Sequence, residues 1–90
     1  MVGNDAQDYL ERLRAMGVDT RHIGTTSQSY TAQAMIMTDR DNNQITAFHP
    51  GAMSQAHENP VPMRQDVRLA IISPDGREAM LSHARQLQEA

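Results

Sequence analysis

The segment Val67–Ser73, with the sequence VRLAIIS, limits the possible folds of this chain more than any other feature. It has the length of a β-strand, and its apolar residues follow one another with little alternation. A strand of this kind is usually covered on both faces, as in a parallel sheet between layers of helices. The sequence therefore predicts that Val67–Ser73 is a buried strand of an α/β sheet.

Two amphipathic helices are predicted near the two ends of the chain. The first spans Asp5 to Met16, because its apolar residues recur three and four positions apart. Asn4 or Asp5 caps its start, and Gly17 ends it in the left-handed conformation. The second helix combines a capping-box-like start with an apolar face, formed respectively by Asp75 and Glu78 and by Met80, Leu81, Ala84 and Leu87.

A β-hairpin is predicted between these helices. Tyr30–Thr38 is rich in Thr, Ile and Met, and Gln44–His49 is its expected partner across the polar turn Asp39–Asn43. A short extended piece is expected around residues 21–24. Residues 50–65 contain three of the four prolines and are expected to form a loop with at most one helical turn.

The predicted order of helix, hairpin, strand and helix does not make a complete α/β domain. One strand and two one-faced helices need a larger sheet than this chain supplies. At 90 residues and 10.0 kDa, the chain has room for one small domain with a thin core. It begins at a helix cap and ends inside a helix without a stop signal, so we expect an internal part of a larger protein.

Composition and charge exclude several classes of function. The net charge is −3, and the eight basic residues are all Arg and are scattered along the chain. Nucleic-acid binding needs a basic stripe to neutralise phosphates, so no nucleic-acid partner is expected. There is no Cys, no apolar run of about 20 residues and no signal peptide. The sequence therefore predicts a cytoplasmic protein without a membrane partner.

The turn at Asp39 begins like a calcium-binding loop, with oxygen ligands at Asp39, Asp41 and Asn43. The sixth position of such a loop should be Gly and is Gln44, and the twelfth should be Glu and is Pro50. A solvated hairpin turn is therefore the favoured interpretation.

The four histidines suggest no metal site, because they fall on different predicted elements without a short paired spacing. Ser82 and His83 are neighbours on a helix and point in different directions, so they do not form a nucleophile and base. No metal ligand is assigned.

Phe48 is the only Phe of the chain, and its position has more than one explanation. In a strand it shares a face with Gln44 and Thr46, whereas Ile45 and Ala47 point the other way. An aromatic side chain on a polar face packs in a core, packs on a partner chain or stacks on a flat ligand. The sequence leaves these alternatives open.

Four short motifs follow one another along the chain: VGND at Val2–Asp5, GVDT at Gly17–Thr20, TA at Thr31–Ala32 and PGAM at Pro50–Met53. In this order and spacing they resemble the middle of a ribokinase/PfkB-type carbohydrate kinase. The resemblance spans all 90 residues. It is closest to the bacterial adenosine-kinase-like branch, through Gln44–Ile45, Phe48, the PGAM run and the helix start at Asp75–Met80.

The resemblance implies an α/β fold, namely part of a ribokinase-like Rossmann-type domain with a β-hairpin from its lid sheet. Residues 1–22 would be a helix of the α/β domain, 23–52 the lid hairpin, and 53–90 a loop, strand and helix of the α/β domain. The implied activity is transfer of phosphate from ATP, with Mg²⁺, to a hydroxymethyl group of a sugar or nucleoside. A homodimer through the lid hairpin is also implied.

The resemblance also implies which residues contact the substrate. Phe48 would stack on the substrate or cover it, with Thr31 and Gln33 as polar candidates. The family's catalytic Asp is expected beyond Ala90, so no catalytic residue is assigned and the 90 residues alone are expected to be inactive. Two alternatives are a non-catalytic binding or dimerisation module and a truncated pseudo-kinase.

Overall fold

The hairpin predicted in the middle of the chain is the longest β-structure in the computed structural model, which describes residues 1–90. The elements, in chain order, are β1 (Val2–Gly3), α1 (Gln7–Ala15), β2 (Thr25–Thr26), β3 (Gln33–Thr38), β4 (Gln44–His49), a 3₁₀ helix (Gly51–Glu58) and α2 (Arg77–Glu89).

Two separate two-stranded sheets are present. Strands β1 and β2 are parallel, with Val2 opposite Thr25. Strands β3 and β4 are antiparallel, with Gln33 opposite His49 and Thr38 opposite Gln44. The predicted hairpin is confirmed, although its first strand starts three residues later than expected.

The turn of the hairpin is built around Asp39. Its Oδ1 accepts hydrogen bonds from the backbone N–H groups of Asp41 and Asn43 at 2.8 and 2.9 Å, and its Oδ2 accepts one from Asn43 Nδ2 at 2.9 Å. Asn42 has a φ of 63°, which Asn tolerates better than most residues. Because the turn itself occupies both Asp39 oxygens, the geometry supports the hairpin-turn interpretation.

The buried part of the protein is small and made of small side chains. Only 8 of the 90 residues are buried, among them Val2, Ala6, Ala52, Ala56 and Ala79. The accessible surface is 7325 Å², whereas a compact protein of this mass exposes about 5,200 Å². The radius of gyration is 15.2 Å, against about 12 Å for a compact domain of this length. The hairpin therefore extends from a small packed junction instead of covering a core.

Helix α1 is shorter than predicted and is not capped as predicted. Its cap residue is Ala6, no side chain caps it, and the carboxylate of Asp5 is bonded elsewhere. Gly17 follows the helix with a φ of 81°, as expected. None of the residues of α1 is buried, and Tyr9 is 57% exposed.

The predicted start and buried face of α2 are wrong. The cap residue is Gly76 without a side-chain bond, because Asp75 Oδ1 accepts from the adjacent N–H of Gly76 at 2.7 Å. The buried residue is Ala79, whereas Leu81 is 46% exposed. The helix turns Ala79 toward the 3₁₀ helix, and on the same side His83 Nε2 donates to the backbone carbonyl of Asn59 at 2.9 Å.

Segment Val67–Ser73 is not a strand in this structure, contrary to the prediction. A strand requires hydrogen bonds to a neighbour, and no strand lies beside these residues. Leu69 is 79% and Ile71 83% exposed. An open groove of about 1050 Å³ separates the segment from α2.

Residues 50–65 are more ordered than the loop that was predicted, since they include the eight-residue 3₁₀ helix. The remainder is bonded to neighbouring elements. Asn59 Nδ2 donates to the carbonyl of His22 at 3.0 Å, and the N–H of Val61 donates to Gln86 Oε1 at 2.8 Å. These bonds hold the start of the segment between the 3₁₀ helix and Val67–Ser73.

Acid should loosen the hairpin turn through Asp39. The hydrogen bonds from Asn43 and Asp41 lower the pKa of Asp39 below its usual 3.8. A lowered pKa in the folded state means that this stabilisation is present above 3.8 and is lost as the pH falls through the folded value. In an NMR pH titration, the Asp41 and Asn43 amide signals should move with a midpoint below 3.8. Asp39→Ala should abolish the transition and Asp41→Asn should keep it; a midpoint at or above 3.8 would contradict the assignment.

Candidate functional site

Phe48 lies on β4 directly opposite Ala34 of β3 and is 55% exposed. Side chains that face each other across an antiparallel pair have Cβ atoms about 5 Å apart, so a cross-strand neighbour normally covers part of a ring. The methyl group of Ala34 is too small to do this. The Phe48 ring therefore remains open to a flat molecule or another chain.

Five further residues share this side of the hairpin with Phe48, including Ala34, because directly opposed residues point to the same face. Ile36 is opposite Thr46, and Thr38 is opposite Gln44. Ile36 is 55% exposed. We call Ala34, Ile36, Thr46 and Phe48 the aromatic face. It combines one ring, one branched aliphatic side chain and one hydroxyl group.

The opposite side of the hairpin is mainly aliphatic. Met35 is opposite Ala47, and Met37 is opposite Ile45. Met35, Met37 and Ile45 are 61, 66 and 70% exposed, although the two methionines resemble core residues in the sequence. We call these four residues the methionine face. Exposed apolar side chains grouped in this way are typical of an interaction surface.

The three candidate substrate-contacting residues do not lie together. Gln33 is opposite His49, on the side of the methionine face, so Gln33 and Phe48 point in opposite directions. Thr31 precedes β3 and lies at the base of the hairpin. Of the three candidates, only Phe48 lies on the aromatic face.

At the base of the hairpin, Thr31 is bonded to both ends of the turn between β1 and α1. Its N–H and hydroxyl group donate to Asp5 Oδ1 at 2.9 and 2.7 Å. Its Oγ1 accepts from the N–H of Gly3 at 2.9 Å. The hydrogen bonds from Thr31 lower the pKa of Asp5 below its usual value, so the carboxylate is ionised at neutral pH. Toward any further group, the Thr31 hydroxyl can act only as an acceptor.

The second strand of the hairpin is held at the neighbouring residue. The N–H of Ala52 donates to the carbonyl of Tyr30 at 2.7 Å. Gly51 has a φ of 46°, and a Cβ atom there would overlap the Tyr30 carbonyl. Gly51 and Ala52 are buried. Tyr30 and Thr31 therefore connect both hairpin strands to the small core.

A polar recess of about 320 Å³ lies beside this base. Its lining consists of Asn4 and residues 27–30. Its walls carry amide and hydroxyl groups that can donate and accept hydrogen bonds. The recess adjoins the two residues that attach the hairpin, so a molecule bound there would lie near the base of the hairpin.

The electrostatic pattern does not identify a metal or phosphate site among residues 1–90. No three His, Asp or Glu side chains are close enough together to hold a metal ion. The N–H of Gly3, at the end of β1, already donates a hydrogen bond to Thr31 Oγ1. We assign neither metal nor phosphate binding to these residues. No helix is both long and apolar enough to cross a membrane.

Sequence reasoning missed two features of the site. It treated Asp5 only as a helix cap, because nothing local indicates a partner 26 residues away. It also did not group Ala34 and Ile36 with Phe48. The strand register places these residues on one face. It follows from the turn, and the side-chain alternation of both strands also predicts it.

Comparisons with a family model and with solved structures identify the family of this chain. Residues 1–90 match the family model of the pfkB family carbohydrate kinases. The chain is 48% identical to the nucleoside kinase of Burkholderia thailandensis. The match to the inosine complex covers 98% of this chain and 29% of that chain, with a TM-score of 0.88; the ligand-free form gives 0.81.

A second solved relative is the nucleoside kinase of Methanocaldococcus jannaschii, an archaeal member of the ribokinase family. It is 32% identical, with 70% of this chain and 22% of that chain covered, at a TM-score of 0.62. The chain thus spans less than a third of the length of either relative. Its fold is that of part of a ribokinase-like protein, and the chain belongs to the pfkB family of carbohydrate kinases.

Proposed function

We propose that these residues provide the lid of a nucleoside kinase, with the β3–β4 hairpin closing over the bound nucleoside. The observation that carries this proposal is the open ring of Phe48 on the aromatic face. A base is flat and apolar on both sides, so it stacks on an aromatic ring. Ile36 and Thr46 add an aliphatic contact and a hydroxyl group beside that ring.

A nucleoside is favoured over a simple sugar because of this geometry. A sugar would be held mainly by directed hydrogen bonds. The aromatic face offers one hydroxyl group beside the ring, and the other two polar residues on that side, Thr38 and Gln44, are bonded to each other. The B. thailandensis relative was solved with inosine and with ADP-inosine, and it is 48% identical to this chain over the matched part, which is 29% of that relative. Adenosine and inosine are therefore the first acceptors to test.

The proposed reaction is transfer of the γ-phosphoryl group of ATP, as its Mg²⁺ complex, to the nucleoside hydroxymethyl group. Such reactions depend on positioning, on charge stabilisation and on the exclusion of water. The residues described here serve the first and third of these needs by covering the acceptor. The Thr31 hydroxyl oxygen can accept one hydrogen bond from the nucleoside. Gln33 would reach the nucleoside only around the strand edge or from a second subunit.

The methionine face is proposed to contact a second copy of the chain. It carries three exposed apolar side chains on a hairpin that extends from the core, and an exposed hairpin edge also invites pairing. A homodimer would bury this face and leave the aromatic face for the substrate. The rival function, a non-catalytic dimerisation module, uses the same face but has no role for Phe48.

Replacement of Phe48 with Ala should weaken nucleoside binding. Loss of one stacking partner costs about 1–3 kcal/mol, which corresponds to a rise of about fivefold to 150-fold in the nucleoside KM. The measurement is phosphorylation by the protein from the full reading frame, with adenosine, inosine, ribose and fructose as acceptors. The ATP KM should stay unchanged.

The matched control is Tyr9→Ala, which removes an aromatic side chain of similar exposure on α1 and should leave the nucleoside KM unaltered. An equal effect of both substitutions, or an unchanged KM in Phe48→Ala, would reject the stacking role. Absence of phosphorylation with every acceptor would favour the dimerisation module or a pseudo-kinase.

A charge on the methionine face should prevent self-association. In the 90-residue chain, Met37→Asp places a carboxylate in the proposed interface, where burial without a partner is strongly unfavourable. Light scattering should report a dimer for the unmodified chain and a monomer for Met37→Asp. Val18→Asp, remote from the hairpin, should remain dimeric.

Leu69→Asp tests the other exposed apolar segment of this chain. If Leu69→Asp abolishes association and Met37→Asp does not, the contact is formed by Val67–Ser73 and not by the hairpin. An unmodified chain that is monomeric at all concentrations would reject both.

A further inference from the structure

We propose that Asp5, Thr31 and the Gly3 N–H form a latch that fixes the orientation of the β3–β4 hairpin on the rest of the protein. This inference rests on the proposed function of the hairpin as a lid. Asp5 and Thr31 act in it as positioning residues, through the lid, and not as groups that react with the substrate.

The latch concentrates three hydrogen bonds on one residue at the base of β3. Thr31 gives both its donors to a single carboxylate oxygen at 2.7 and 2.9 Å, and its hydroxyl oxygen accepts from Gly3 at 2.9 Å. Two of these bonds involve an ionised acceptor and are stronger than bonds between neutral groups. They link residues that are 26 and 28 positions apart.

Little else connects the hairpin to the core. Every residue of β3 and β4 is exposed, so no side chain of either strand is buried against another element. The remaining connection described at the base is the Ala52 N–H bond to Tyr30. A hairpin held only at its base changes direction when the residues at that base change.

The backbone is tightly packed around Gly3. A Cβ atom there would overlap the Ser29 carbonyl and lie 2.7 Å from the Thr31 nitrogen. The backbone of β1 and the segment before β3 therefore lie in direct contact. Gly3 is buried, and it brings its N–H to Thr31 only because it has no side chain.

The test measures hairpin orientation by residual dipolar couplings in the 90-residue chain. For the unmodified chain, one alignment tensor should fit β3–β4, the 3₁₀ helix and α2 together. Asp5→Ala and Thr31→Val remove latch bonds, so the hairpin should need a separate tensor while its cross-strand pairing of Ala34 with Phe48 persists. Amide exchange at Gly3 should become about tenfold faster in Thr31→Val.

Two conservative variants and one control complete the design. Thr31→Ser keeps the hydroxyl group and Asp5→Asn keeps an acceptor oxygen, so both should retain the single tensor. Asp8→Ala removes a carboxylate three positions further along without a latch bond and should behave like the unmodified chain.

A single tensor in both Asp5→Ala and Thr31→Val would overturn the latch. Loss of hairpin pairing in these variants would also overturn it, because the bonds would then be needed for folding and not for orientation.

Kinetics of the full-length protein separate the latch from the function on which it rests. A misplaced lid should lower kcat/KM for the nucleoside by about tenfold to a hundredfold in Thr31→Val, restored in Thr31→Ser, with the ATP KM unchanged. If the full-length protein phosphorylates no nucleoside, the lid function fails, whereas the dipolar couplings still decide whether the latch exists.

Discussion

The hydrogen bonds at Tyr30 and Thr31 are the interaction on which the rest of this structure depends. They attach a six-residue strand pair to a junction whose buried side chains are mostly Ala. Small side chains bury little apolar area, so packing alone contributes little to holding the hairpin in place. Directed bonds to a carboxylate and to backbone groups compensate, because they fix geometry without needing a large contact surface.

The exposed apolar surfaces have a common physical cause. Helix α1, the groove beside α2 and the segment Val67–Ser73 each present side chains that a soluble domain normally buries. Each is typical of one layer of an α/β sandwich, in which neighbouring layers cover such side chains. The nucleoside kinases that this chain matches are more than three times as long, and this agrees with the need of Val67–Ser73 for a strand on either side.

Sequence reasoning predicted the elements that local chemistry determines. The hairpin follows from β-favouring residues around a turn rich in Asp and Asn, and the end of α1 follows from Gly17. It failed where distant residues compete for a group. Asp5 resembles a helix cap in the sequence, but its carboxylate accepts hydrogen bonds from Thr31 instead. The apolar pattern of α2 predicts the wrong buried face, because Ala79, His83 and Gln86 contact the 3₁₀ helix and the segment that follows it. The unpaired state of Val67–Ser73 likewise depends on neighbours that no local pattern encodes.

The position of Phe48 shows how the strand register divides two proposed tasks between the faces of one hairpin. Because side chains alternate, Phe48 and the methionines cannot contact the same partner from the same side. An aliphatic face suits a second protein chain, which can match its shape, whereas a ring opposite Ala34 suits a thin planar ligand. A shift of the register by one residue would place Phe48 on the same face as Met35 and Met37. The Asp39 turn sets that register. The acidic residues that resemble a calcium loop therefore determine that Phe48 and the two methionines lie on opposite faces.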